Sequence, residues 1–266
     1  MSETFTLIKG RVPLLISMPH NGEAIPEDIA AKMTPDGLSS RDTDWYKDRL
    51  YDFAVELGAY ILMPKYSRYV IDLNRNPSGE NLYPGANSTE LCPTTAFDLA
   101  PLYQDGYTPD ETEVSRRVEL YWQPYHSAIQ ATLAEIKQQH GGAVLLEAHS
   151  ILSHVPRFFE GRLPDFNFGT SEGKTCSSAL IEAVESIDFA PYSQVTNGRF
   201  KGGYITRAYG EPSENVHSIQ LELSQITYMD EATLSYQEEI AAQVKPKLKL
   251  LVETLIDFGE QTFTHP

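Results

Sequence analysis

Short apolar runs recur along this 266-residue chain, and each carries a polar, chemistry-bearing residue at or near its carboxyl end. Residues 12–18 lead into Pro19-His20, and Tyr69-Val70-Ile71 leads into Asp72-Leu73-Asn74-Arg75. Residues 143–148 lead into His149-Ser150, and residues 218–223 hold Glu222. Residues 60–63 form one more strand-like run. Helical spacing marks residues 44–58, 110–139, 175–187 and 230–258, with Gly58 and Gly141-Gly142 as stop signals. Pro124 predicts a kink or break in the second of these. Strands alternating with helices predict an α/β fold with a mostly parallel sheet covered on both faces. In open sheets of this kind ligands bind outside the carboxyl ends of the strands. His20, Asn74 with Arg75, His149 and Glu222 are therefore expected to converge on one rim. Residues 76–109, rich in Pro, Gly, Asn, Ser and Thr, read as a long loop and as a candidate lid. No repeat or linker divides the chain, so residues 1–266 are expected to form one domain.

The segment Arg68-Tyr-Val-Ile-Asp-Leu-Asn-Arg75 has a guanidinium at each end and an amide beside the second. Arginine grips carboxylates through two parallel hydrogen bonds, so the segment predicts a seat for a small dianionic ligand. The net charge of −16 excludes the positive field that nucleic acids require and argues against an anionic membrane surface. No run reaches the roughly 18 apolar residues of a membrane helix, and the polar, acidic start does not read as a secretory signal. Two cysteines, Cys92 and Cys176, are too few for a disulfide scaffold, so a reducing cytoplasm is expected.

His20 and His149 offer imidazoles at two strand ends, and a catalytic zinc takes three protein ligands while keeping one position open. Three acids could complete the set: Glu23 in an H-x-x-E spacing, and Asp42 or Asp44 in Arg41-Asp-Thr-Asp-Trp45. Glu222 is an acid inside an apolar strand; burial there would raise its pKa and suit it to general acid–base work. Arg207, just after Gly202-Gly203, could add a further anion contact. Arg199 and Lys201 read as solvated loop charges, and His126, in mid-helix, reads as structural.

Taken together, these motifs resemble those of the N-formylglutamate deformylases. The resemblance rests on Ser17-Met-Pro-His-Asn-Gly22, Asp42-Thr-Asp-Trp45, Tyr66 through Arg75, Leu82-Tyr-Pro-Gly85, Ala148-His-Ser150, Asn197 through Arg207 and Gln220-Leu-Glu-Leu223. It implies kinship with zinc carboxypeptidases and with the aspartoacylase and succinylglutamate desuccinylase group. The implied fold is three-layer α/β/α around a mixed, mostly parallel sheet (a phosphorylase/hydrolase-like fold) with one zinc ion. The resemblance further implies zinc ligands His20, Asp44 and His149, with Glu23 as the alternative acid. It implies Glu222 as the catalytic acid–base, Arg68 for the oxyanion, and Asn74, Arg75 and Arg207 for the substrate carboxylates. The implied reaction releases formate from N-formyl-L-glutamate in histidine degradation. A sibling amidohydrolase that removes another acyl or formimino group, and a metal-free binder of acidic amino acids, are the competing expectations.

Overall fold

A computed structural model describes residues 4–80 and 88–263. A seven-stranded sheet is built from β1 (Phe5–Ile8), β2 (Leu14–Ser17), β3 (Tyr60–Pro64), β4 (Ala143–Ile151), β5 (Phe166–Gly169), β6 (Gln194–Thr196) and β7 (Val216–Ser224). Its order is β1-β3-β2-β4-β7-β5-β6. The β3-β2-β4-β7 centre is parallel, whereas β1 and β5 pair antiparallel to their inner neighbours. A small hairpin, β8 (Met229–Asp230) with β9 (Ser235–Tyr236), stands apart. The helices are α1 (Glu27–Ala30), α2 (Pro35–Leu38), α3 (Lys47–Leu50), α4 (Phe53–Leu57), α5 (Glu111–Arg117), α6 (Gln123–His140), α7 (Ser178–Glu185), α8 (Tyr204–Tyr209) and α9 (Glu238–Thr262).

The two central strands are two-faced. In β7, Ile219, Leu221 and Leu223 alternate with Ser218, Gln220, Glu222 and Ser224; in β4, Leu146 and Ala148 alternate with Glu147 and His149. Successive side chains of a strand point to opposite faces. The aliphatic set joins one core with α4, α7 and α9, while Leu145 of β4 joins a second core with α6 on the other face. The parallel register sets His149 opposite Glu222 and Glu147 opposite Gln220. The polar residues therefore gather on the α6 side of the sheet, buried beneath loops instead of aliphatic side chains.

Three local expectations are corrected. Residues 44–58 split into α3 and α4, although Gly58 does end α4 in the left-handed region at φ 87°. Residues 230–236 form the β8–β9 hairpin, so the closing helix begins at Glu238. Residues 69–73 are no strand; they run as buried turns. A buried segment without a ladder must satisfy its peptide groups otherwise. The Leu91 carbonyl accepts from the Asp72 N–H, and the Val70 carbonyl accepts from Arg117 Nη1 at 2.9 Å. Consequently Asn74 and Arg75 do not follow a strand end; they are carried by a side-chain-braced loop. Leu82 through Gly85, and with them the middle of the expected lid, lie outside the described residues.

Pro124 lies at the start of α6, directly after a π-helical turn, Val118–Trp122, that interrupts the expected long helix. Its N-terminal half opens at Asp110, whose side chain accepts from the Glu113 N–H at 2.9 Å. Arg117 is 1% exposed and bonds Glu113, Val70 and the Tyr103 hydroxyl. Removing one member of a buried ion pair typically costs about 3–5 kcal/mol, so Arg117→Ala is expected to lower the unfolding free energy by about that much. Hydrogen bonds from Arg116 and Arg117 hold the Glu113 carboxyl down at about 2. A depressed carboxylate stabilises fully above its unfolded pKa of about 4.3, and that contribution fades as pH falls toward the folded value. The urea-midpoint gap between wild type and Glu113→Gln should therefore narrow from about pH 5.5 to about pH 3; a constant gap would refute the pairing.

Candidate active site

His20 sits three residues beyond β2, where Asp44 N–H donates to its carbonyl at 3.0 Å. His149 sits on β4, one pleat from Glu147 and beside Glu222 of β7. The 42–45 loop reaches over from the α3 side. Asp44 Oδ2 accepts from the Ser150 N–H at 3.0 Å and lies 3.0 Å from His149 Nδ1. His20 Nδ1 is 3.8 Å from Asp44 Oδ1, and the two imidazole centres are 4.7 Å apart. One donor atom from each of His20, Asp44 and His149 lies within 4.8 Å of the others, all three side chains being buried. Glu23 is exposed, and Asp42 turns its Oδ2 to the Phe97 N–H at 2.8 Å, so neither alternative acid joins this group.

Each imidazole is steered from behind by a carboxylate. Asp72 Oδ1 lies 2.6 Å from His20 Nε2, and Glu147 Oε1 bonds His149 Nε2. Carboxylates only accept, so each Nε2 carries a proton, and each Nδ1 is turned toward Asp44. Backing of this kind fixes tautomer and ring orientation in metal sites. Glu147 is itself held by the Thr206 N–H and hydroxyl of α8. Composition and spacing flagged neither backing acid. Glu147 was nevertheless legible two residues before His149 on a strand, hence on the same face, and Asp72 stands two residues before Asn74.

The charges are unbalanced. Asp44, Asp72, Glu147 and Glu222 surround the two rings, against Arg68 and Lys47, and all six are buried. Burial opposes a charge on His149, yet Glu147 and Asp44 outweigh it and raise its pKa to about 10. Burial, with the Arg68 charge, lowers that of His20. Burial, reinforced by Asp44, pushes Glu222 up to about 8. Burial likewise lowers the Lys47 ammonium to about 8, although its Nζ bonds the His149 carbonyl at 2.8 Å.

The group opens into a cavity of about 100 Å³ lined also by Arg68, Asn74, Arg75, Phe97, Phe158, Arg199 and Glu222. Arg68 donates to Asp72 at 2.8 Å and lies 4.9 Å over the Phe97 ring. The Asn74 amide oxygen accepts from the Ile205 N–H, which turns its NH₂ toward His149 Nε2 at 3.0 Å. That nitrogen also meets Glu147, so the Asn74 NH₂ and the Glu147 carboxylate share one edge of the imidazole, and Asn74 lines the cavity beside it. Arg75 Nε is buried without a hydrogen bond among the described residues. Gly203 is required here: a Cβ on it would lie 2.2 Å from Asn74 Nδ2. Arg207 does not line the cavity; it lies on α8 and donates from Nε to the Gly202 carbonyl at 2.9 Å. Arg199 and Lys201, expected to be solvated, are in the lining instead.

The profile of the N-formylglutamate amidohydrolase family matches residues 12–229. The N-formylglutamate deformylase of Pseudomonas aeruginosa PAO1 is 47% identical, over 99% of this chain and all of its own length. That of Pseudomonas putida is 42% identical, over 99% of both. The crystal structure of an N-formylglutamate amidohydrolase from Ralstonia eutropha JMP134 superposes with a TM-score of 0.78 at 27% identity, covering 97% of each chain. A protein from Agrobacterium tumefaciens, at 17% identity and a TM-score of 0.72, covers 97% of this chain and 96% of its own and shares the fold. Matched along most of its length by the profile and nearly end to end by these relatives, the chain belongs to the N-formylglutamate amidohydrolase family.

Proposed function

We propose that this protein is a cytoplasmic, zinc-dependent deformylase that hydrolyses N-formyl-L-glutamate to L-glutamate and formate, serving histidine degradation. The carrying observation is the convergence of His20, Asp44 and His149 within 4.8 Å, facing a cavity lined by guanidinium groups. Two Nδ1 lone pairs and a carboxylate are a ligand set that zinc accepts while keeping a position open. With both imidazoles neutral as ligands, four buried carboxylates against Arg68 and Lys47 leave two formal negative charges, which fits a divalent cation, since uncompensated buried charge is costly. The names of the relatives support the substrate.

When bound, zinc supplies Lewis acidity and acidifies a water toward a pKa of about 7. The residues of the chain divide the remaining work. Glu222, on the cavity wall with its carboxyl poised near neutrality, takes the proton of the attacking water and returns it to the leaving amine. Arg68, locked against Asp72, faces the oxyanion that develops on the formyl oxygen; a preorganised donor of this kind contributes about 3–4 kcal/mol. The Asn74 amide and the Arg75 guanidinium seat one carboxylate of the substrate. Arg199 suits the second, and Arg207 acts indirectly by holding the Gly202 carbonyl. Phe97 and Phe158 close the acyl end and limit water.

Glu222→Gln keeps shape and removes the proton acceptor. It should lower kcat for formate release by about 10²–10⁴-fold while substrate still binds; near wild-type turnover would remove Glu222 from the mechanism. Protein purified without chelators should carry one zinc per chain by elemental analysis. Asp72→Asn should weaken zinc about 10–100-fold in competition with a chromogenic chelator. Unchanged affinity would show that Asp72 does not act through His20.

A further inference from the structure

Three side chains on one helical stretch reach three carbonyls of the loop that carries Asn74 and Arg75. Arg117 Nη1 donates to the Val70 carbonyl at 2.9 Å, His126 Nε2 to that of Leu73 at 2.8 Å, and Trp122 Nε1 to that of Arg75 at 3.0 Å. A carbonyl only accepts, so His126 carries its proton on Nε2 and its Nδ1 accepts from the Tyr209 hydroxyl at 2.7 Å. Burial keeps the ring neutral, with a pKa lowered to about 4. The Trp122 ring stacks on His126 at 3.6 Å and 14°, so each ring braces the other.

The helix geometry matters. At 3.6 residues per turn a regular helix rotates about 100° per residue. Arg117 and Trp122 would then diverge by about 140° and could not both serve one loop. The π-helical turn Val118–Trp122 begins directly after Arg117 and ends at Trp122. An i→i+5 turn holds an extra residue and returns positions five apart to nearly the same face. The π-helical turn therefore brings Arg117, Trp122 and His126 toward one row.

We infer that the π-helical turn is a positioning device for the anion seat, and that Trp122 and His126 are positioning residues that set Arg75 and Asn74 through the backbone carbonyls of Arg75 and Leu73. The inference rests on the proposed role of Asn74 and Arg75 in seating a substrate carboxylate. Neither Trp122 nor His126 lines the reaction cavity. Their loss should therefore act on ligand affinity and leave the chemical step intact.

Trp122→Phe keeps the stacked ring and deletes one N–H; His126→Phe deletes the donor to Leu73, and His126→Gln restores a donor at similar reach. Losing one such hydrogen bond corresponds to about a 2–13-fold effect. Trp122→Phe and His126→Phe should raise KM for N-formyl-L-glutamate within that range with kcat within about twofold, and His126→Gln should recover most of it. The Kd of L-glutamate, measured by calorimetry, should rise in parallel. Unchanged KM and Kd, or a fall in kcat that tracks a lowered unfolding midpoint, would overturn the inference. If the wild type binds L-glutamate but releases no formate, the deformylase reading fails, and the glutamate Kd of the variants alone decides the positioning role. If the wild type binds neither compound, both fail.

Discussion

The Asp72 carboxylate is the contact on which the site depends. It is 1% exposed, yet four groups meet on it. Oδ1 takes His20 Nε2 and the Asn74 N–H; Oδ2 takes Arg68 Nη2 at 2.8 Å and lies 3.7 Å from Arg75 Nε. Burial alone would raise its pKa, but His20 and Arg68 hold the carboxyl well below the usual range. A buried charge is tolerable only when its lone pairs are satisfied, and here satisfaction and assembly coincide. One anion fixes the orientation of an imidazole, the direction of the Arg68 guanidinium proposed to meet the oxyanion, and the backbone beside the proposed anion seat. Glu147 does the same for His149 from β4, tied in turn to α8 through Thr206.

This arrangement explains why residues 69–73 are not a strand despite a β-rich composition. A ladder would fix every peptide group and send alternate side chains to opposite faces. Arg68, Asp72, Asn74 and Arg75 instead all serve one cavity. Turns allow that convergence, at the cost of leaving carbonyls to be satisfied from outside. Tyr103, Arg117, His126 and Trp122 supply the donors for Tyr69, Val70, Leu73 and Arg75. The stability of the loop is thereby exported to a helix on the far side of the second core.

Much of the sheet could be read in advance because β4 and β7 are short apolar runs that carry polar residues toward their carboxyl ends, a local signal. Gly58 and Asp110 likewise mark helix ends by local chemistry. What escaped was non-local. The failure at residues 69–73 reflects partners up to 53 positions away in sequence. The hairpin of residues 229–236 breaks an amphipathic pattern only because Tyr228 and Tyr236 pack beside α9. At the site, His20, His149 and Glu222 were visible as polar residues in or just after apolar strands, and Asp44 came from the motif around it. Arg199 lines the cavity and Arg207 does not, a placement that spacing in a loop-to-helix passage does not reveal.

The global charge and the local site oppose each other, and distance decides the outcome. A chain of net charge −16 repels a dianion. Salt screens exposed charges beyond about 10 Å at 0.1 M, so the far surface counts for little at the cavity mouth. Inside, the carboxylates are committed: Asp72 to His20 and Arg68, Glu147 to His149 and Thr206, Asp44 to His149 and Ser150. Among the described residues Arg75 Nε is buried without a hydrogen bond, and the Asn74 NH₂ lies beside it in the cavity lining. Under the proposed function, an entering carboxylate would meet these donors, while Asp72, Glu147 and Asp44 are each already paired. That asymmetry of satisfaction, more than the count of charges, lets so acidic a protein present a seat for an acidic ligand.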